Sequence, residues 1–216
     1  YYYQLVANVR LYKGSPALPK ASPPQTITID GGFEQWRDTA PLFEDATGDT
    51  APRDWAGVAG THYADRSGRN DLRAMKVARD AACVYFYAST VKPLSPESDP
   101  RWMWLLIDAD DNPDSGWGGF DFMVERKSGP DAGAWLEKIE GGWSWRRVAK
   151  IEERIAGNEL QLAIPRAALG LASEQTSLTL NFKWADNVQA PGNIMDFYSS
   201  GDAAPEGRFM YRYQAN

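Results

Sequence analysis

From residue 26 onward the apolar residues come in short runs with a period of two, and that period dictates strands. The runs are Thr26–Ile29, Arg73–Ala78, Ala82–Thr90, Trp102–Asp108, Phe120–Arg126, Trp135–Ile139, Glu159–Ile164, Leu178–Trp184 and Phe209–Tyr213. They are rich in β-branched and aromatic residues, and a strand with one apolar face must bury it against a second layer. Gly129–Pro130–Asp131, Gly141–Gly142 and Gly157–Asn158 separate the runs with residues suited to turns. The pattern predicts an all-β fold, an antiparallel β-sandwich over residues 26–216. In Pro165–Gly170, Pro stands at a starting position and Gly at a stop, which predicts one helical turn between strands.

The chain opens differently. Leu5, Val6, Val9 and Tyr12 recur at helical spacing and Lys13–Gly14 suits a helix end, so Tyr1–Gly14 reads as a short helix, the tail of a preceding domain. Residues 15–25 are Pro-rich and read as a semi-rigid connector. With 216 residues and 43% hydrophobic content, one sizeable domain follows. The balance of 23 basic against 29 acidic residues gives a net charge of −6, and no basic run tracks phosphates. Nucleic acid and anionic membrane surfaces are therefore poor partners. No uninterrupted apolar stretch reaches the roughly 18 residues of a membrane helix. Cys83 is the single cysteine and sits in an apolar run, which predicts a small packed thiol and excludes an intrachain disulfide. His62 is the single histidine, so a His-rich zinc site or a Ser–His–Asp triad is hard to build.

The densest chemical signal is the loop after the apolar run ending at Asp108. It holds Asp108, Asp110, Asp111, Asn112 and Asp114, and the next strand opens with Asp121. Carboxylates this close repel one another unless a hard cation gathers them, and calcium takes six to eight oxygens in flexible geometry. Asp110, Asn112, Asp114 and Asp121 fall at positions 1, 3, 5 and 12 of an EF-hand loop. Ser115 in place of the usual glycine, and strands instead of helices on either side, argue against that motif. A calcium ion held by Asp108, Asp110, Asn112 and Asp121 is the expectation; a solvated acidic turn is the alternative. Asp45, Asp49 and Asp71, in long loops without strand period, are candidates for a second calcium. Ion pairs of Asp49 with Arg53 or of Asp71 with Arg69 are the alternative there.

The chain also carries 9 Trp, 10 Tyr and 8 Phe. Flat rings with a polar edge stack on sugar faces, and they also fill sandwich cores. Loop-borne rings next to polar residues are the candidates for sugar contact: Trp117 after the acidic turn, Trp55 beside Arg53 and Asp54, and Trp184 before Asp186 and Asn187. Trp143 and Trp145 rank behind them. Paired carboxylates for glycoside cleavage find weak support, with Glu125 alone standing out as an acid within an aromatic strand.

The order of motifs resembles the family 9 carbohydrate-binding modules and their DOMON-like relatives. The matching pieces are Ile27–Thr28–Ile29–Asp30–Gly31–Gly32–Phe33–Glu34–Gln35–Trp36, the hairpin of Ala74–Ala78 with Val84–Tyr87, Leu105–Asp108 leading into Phe120–Val124, and Leu160–Pro165. The likeness runs from about Thr26 to Tyr213. It implies a calcium-containing sandwich that binds polysaccharide or oligosaccharide and is joined to a catalytic domain of a secreted or periplasmic glycoside hydrolase, without catalysis of its own. The sequence departs from the family in having Met123 where a strand Arg is usual, and in having no Trp in Gly201–Gly207. Residues 1–14 also resemble the closing helix of a glycosidase-like barrel. A structural module that only packs on its catalytic neighbour, and a glycan-cleaving domain, are the rival readings.

Overall fold

The computed structural model describes residues 20–50, 53–57, 60, 62–173, 175 and 177–215. The helix read over residues 1–14 lies outside them, as do residues 15–19 of the connector. The described residues form β1 (Leu42–Glu44), β2 (Arg53–Ala56), β3 (His62–Asp65), β4 (Leu72–Arg79), β5 (Cys83–Thr90), β6 (Trp104–Asp108), β7 (Phe122–Lys127), β8 (Gly133–Gly141), β9 (Ser144–Lys150), β10 (Glu152–Ala156), β11 (Glu159–Pro165), β12 (Leu178–Asp186), β13 (Asp202–Ala204) and β14 (Tyr211–Ala215). One sheet runs β1-β4-β5-β11-β10, and the other runs β13-β12-β6-β7-β8-β9 with β14 also on β12. β2 and β3 form a hairpin that Ala64 ties to the rest by a parallel bridge to Ser200, and every pairing between named strands is antiparallel. The fold is the expected all-β sandwich. No helix among the described residues is long and apolar enough to cross a membrane.

Period-two alternation builds three apolar layers. Leu105 and Ile107 of β6 point between the sheets with Val77, Phe86, Leu162, Leu180 and Phe182. Trp104 and Leu106, one residue out of phase, cover the outer face of the larger sheet with Phe120, Met123 and Phe197. On the outer face of the smaller sheet, Ile27, Ile29 and Trp36 pack against Tyr85, Tyr87 and Ala163.

Two local expectations are met differently. Thr26–Ile29 alternates exposed and buried residues as a strand would, yet joins no sheet. Its polar groups go to side chains: Thr28 N donates to Gln35 Oε1 at 3.0 Å and Gln161 Nε2 donates to Ile29 O at 2.7 Å. The helical turn after β11 forms at Arg166–Leu169 as a 3₁₀ turn and stops at Gly170 with φ 74°.

Candidate metal centres and ligand groove

β6 delivers Asp108 to the sheet edge, and the following loop folds back before β7. Gly116 makes that return possible, because at φ 63° a Cβ would lie 2.1 Å from Phe120 O. The fold brings carboxylate oxygens of Asp108, Asp110 and Asp121 within 4.8 Å of one another. The Ser115 hydroxyl has one proton but faces Asn112 O at 2.9 Å, Asp110 Oδ1 at 3.1 Å and Asp121 Oδ1 at 3.2 Å. Oxygens outnumber protons in this loop, which is the condition a hard cation relieves. Asn112 Oδ1 accepts from the Asp114 amide at 3.1 Å. Burial, with the Asp121 and Asp110 charges adding to it, raises the Asp108 carboxyl against the donation from Asn181 and the Asp111 amide.

A second cluster gathers Asp45, Asp49 and Asp202, again within 4.8 Å. Asp45 follows β1, Asp49 lies in the next loop, and β13 carries Asp202 to them from the far end of the chain. Asp71 stands alongside, accepting from Gly48 N at 2.9 Å, and its carboxyl is raised by burial and by Asp49. Burial and then Asp49 push Asp45 up to about 7. Burial raises Asp202 far above the usual carboxylate range, with Asp49 and Asp45 adding to it, and Glu206 is raised by desolvation and by Asp49. Asp45 Oδ2 and Asp71 Oδ1 are buried without a hydrogen-bond donor. Buried acceptors with no donor, beside other carboxylates, fit an oxygen-ligated cation and not a solvated turn. Lys183 Nζ supplies the nearby positive charge; burial pushes it down to about 7, and it donates to Pro205 O. Arg69, offered as a partner for Asp71, instead binds Asp186 at 2.8 Å and Asp99 at 3.1 Å.

The aromatic candidates separate into core and surface, and Trp184 is a correction. It is 0% exposed and lies between the sheets, because β12 continues to Asp186 and keeps Trp184 in phase with inward-facing Leu180 and Phe182. Asp186 is equally unavailable to a ligand: fully buried, it accepts from Arg69 Nε and from Met103 N at 2.9 Å. Asn187 uses its amide on Ser67 Oγ at 3.2 Å. Trp55 is 58% exposed on the β2–β3 hairpin, where Asp54 binds His62 and Arg66. The Arg53 side chain lies outside the described residues. Trp117 is half-buried, its ring edge-on to Trp143 with centroids 4.4 Å apart, and Trp143 meets Trp145 at 5.3 Å. These rings cover the Trp104 face of the sheet more than they present faces to solvent.

A concave feature at the acidic loop was not anticipated. A groove of about 900 Å³ is lined by Asp111, Ile194, Tyr198, Arg208, Phe209 and Arg212, among others. Phe209 is 46% exposed and Tyr198 37%. Tyr198 ends a 3₁₀ turn whose buried Asp196 accepts from Gln189 N, Ala190 N and Ser200 Oγ. Gly207, at φ 59°, lets that ring lie against the backbone, since a Cβ there would sit 2.0 Å from it. Across the groove Arg212 clasps Asp111 through two bonds of 2.6 and 2.7 Å, and Asn181 Nδ2 bridges Asp108 and Asp111. Phe209 begins the run read as a terminal strand, so its sequence signal was spent on β14, which starts only at Tyr211. Comparison with models of known protein families, with curated proteins and with solved structures finds no match to this chain.

Proposed function

We propose that this domain is a non-catalytic carbohydrate-binding module that holds a polysaccharide or oligosaccharide in the groove beside the acidic loop. Calcium at the two carboxylate clusters keeps the surrounding loops in place, and the module serves a catalytic domain of a larger secreted polysaccharide-degrading protein. The observation carrying this reading is the groove itself: two exposed rings, Phe209 and Tyr198, face the same space as the Asp111–Arg212 pair. A pyranose has an apolar C–H face for a ring and hydroxyls that both donate and accept, and this groove offers partners for each. Catalysis gains no support from Glu125, the one strand acid singled out, because Lys127 bridges it to Glu137.

Phe209→Ala is expected to cost about 2 kcal/mol of glycan binding, roughly a 30-fold loss, as for other exposed aromatic anchors. Its melting temperature should stay close to wild type, since the ring is half in solvent. Affinity electrophoresis on polysaccharides retained by the wild type, with calcium present, reads the effect. Unchanged retention of Phe209→Ala and Tyr198→Ala would place the site elsewhere, and loss in Trp55→Ala alone would move it to the β2–β3 hairpin. If no glycan is retained by the wild type, the module that only packs on a neighbour is the better reading.

A further inference from the structure

The groove is lined by two aspartates, Asp108 and Asp111, and two arginines, Arg208 and Arg212, and these charges are not equally available to a ligand. Arg212 and Asp111 neutralise each other in their bidentate pair. The Asp108 carboxylate accepts from the Asp111 amide at 2.7 Å and from Asn181 Nδ2 at 2.7 Å and is gathered with Asp110 and Asp121 in the acidic cluster. Arg208 is left: exposed, lining the groove next to Phe209, and without a carboxylate in ion-pair contact among the described residues. The chain as a whole carries −6, so attraction for an anion must come from this local feature and not from the global field.

We infer that the groove selects acidic glycans, with Arg208 receiving the carboxylate of a uronic acid unit while Phe209 takes the C–H face of the same or an adjacent ring. The inference rests on the glycan-binding reading above and names the substrate class for that site. A guanidinium presents parallel N–H donors that match the two oxygens of a planar carboxylate, a fit that an ammonium does not reproduce. The neighbouring ring supplies apolar contact and excludes water from one side, which strengthens the ion pair.

The test uses isothermal calorimetry at fixed calcium with short oligouronides of galacturonic, glucuronic and mannuronic type, each paired with its carboxyl-reduced neutral counterpart and with a sulfated neutral oligosaccharide of equal length. Wild-type protein should bind at least one oligouronide ten-fold or more tightly than its reduced form. Arg208→Ala should abolish that preference with an unchanged melting temperature, and Arg208→Lys should retain part of it. Preference for the sulfated ligand over every oligouronide would overturn the uronate assignment. Equal binding of acid and reduced forms, or an undiminished preference in Arg208→Ala, would overturn the inference while leaving glycan binding intact. Absence of binding to every oligosaccharide, acidic or neutral, would overturn both.

Discussion

Calcium is expected to raise the melting temperature of the metal-free domain by about 10 °C for each site it fills. An ion bound to the folded form alone adds about 4 kcal/mol per site when free calcium exceeds the dissociation constant a thousandfold. For a domain of this size each kcal/mol corresponds to about 2–4 °C. The second cluster makes the sharper case, because there the carboxylates are gathered at a cost. Asp45 is pushed up to about 7, Asp202 is raised well above the usual carboxylate range by its burial, and two carboxylate oxygens, Asp45 Oδ2 and Asp71 Oδ1, lie buried without donors. Asp45→Asn should therefore stabilise the metal-free protein by on the order of 1 kcal/mol while reducing its response to calcium. A solvated acidic loop would show neither effect. The pH dependence has a definite sign. The folded, metal-free chain holds protons on Asp45, Asp202 and Glu206 that the unfolded chain releases, so stability rises as pH falls from about 7 toward 5. Lys183, pushed down to about 7, acts above that range and does not mask the trend. Protons and calcium compete for the same oxygens, so the difference between calcium-loaded and metal-free melting curves should be largest above pH 7 and shrink toward pH 5. Differential scanning calorimetry across that range, with and without calcium, checks each point; identical curves would remove the metal assignment.

Trp184→Ala should destabilise the domain by about 3–5 kcal/mol, the usual cost of emptying a buried indole site. The ring is 0% exposed and belongs to the layer shared by both sheets. Trp184→Phe should cost much less, because the indole Nε1 is buried without an acceptor and its removal breaks no hydrogen bond. Trp55→Ala, by contrast, removes a ring 58% exposed on an outlying hairpin and should change stability by less than about 0.5 kcal/mol. Urea unfolding monitored by circular dichroism separates the three. A Trp184→Ala protein as stable as wild type would return that residue to the surface candidates.

How legible each feature was depends on how local its cause is. The acidic loop was visible because Asp108, Asp110 and Asp121 are neighbours in the chain, and one tight return from β6 to β7 is enough to bring their oxygens together. Asp45 and Asp49 were visible for the same reason. Asp202 and Glu206 were not, since β13 reaches them only by pairing with β12, with Trp184 opposite Ala204 and Asp186 opposite Asp202. Trp184 was misplaced because a residue near the end of an apolar run looks the same whether the strand stops there or continues, and two further residues of pairing decide between surface and core. Tyr198 ends a 3₁₀ turn, where no period of two states which way a ring faces, and Phe209 was counted into a strand that begins only at Tyr211.

Periodicity and turn chemistry, both properties of adjacent residues, determined from the sequence alone that this chain is an antiparallel sandwich and that one of its loops collects carboxylates. Only the tertiary structure decided which strand ends share an edge, and therefore which acids complete the second cluster and which rings border a groove. Those choices depend on strand register, which long-range packing sets and no local run of residues encodes.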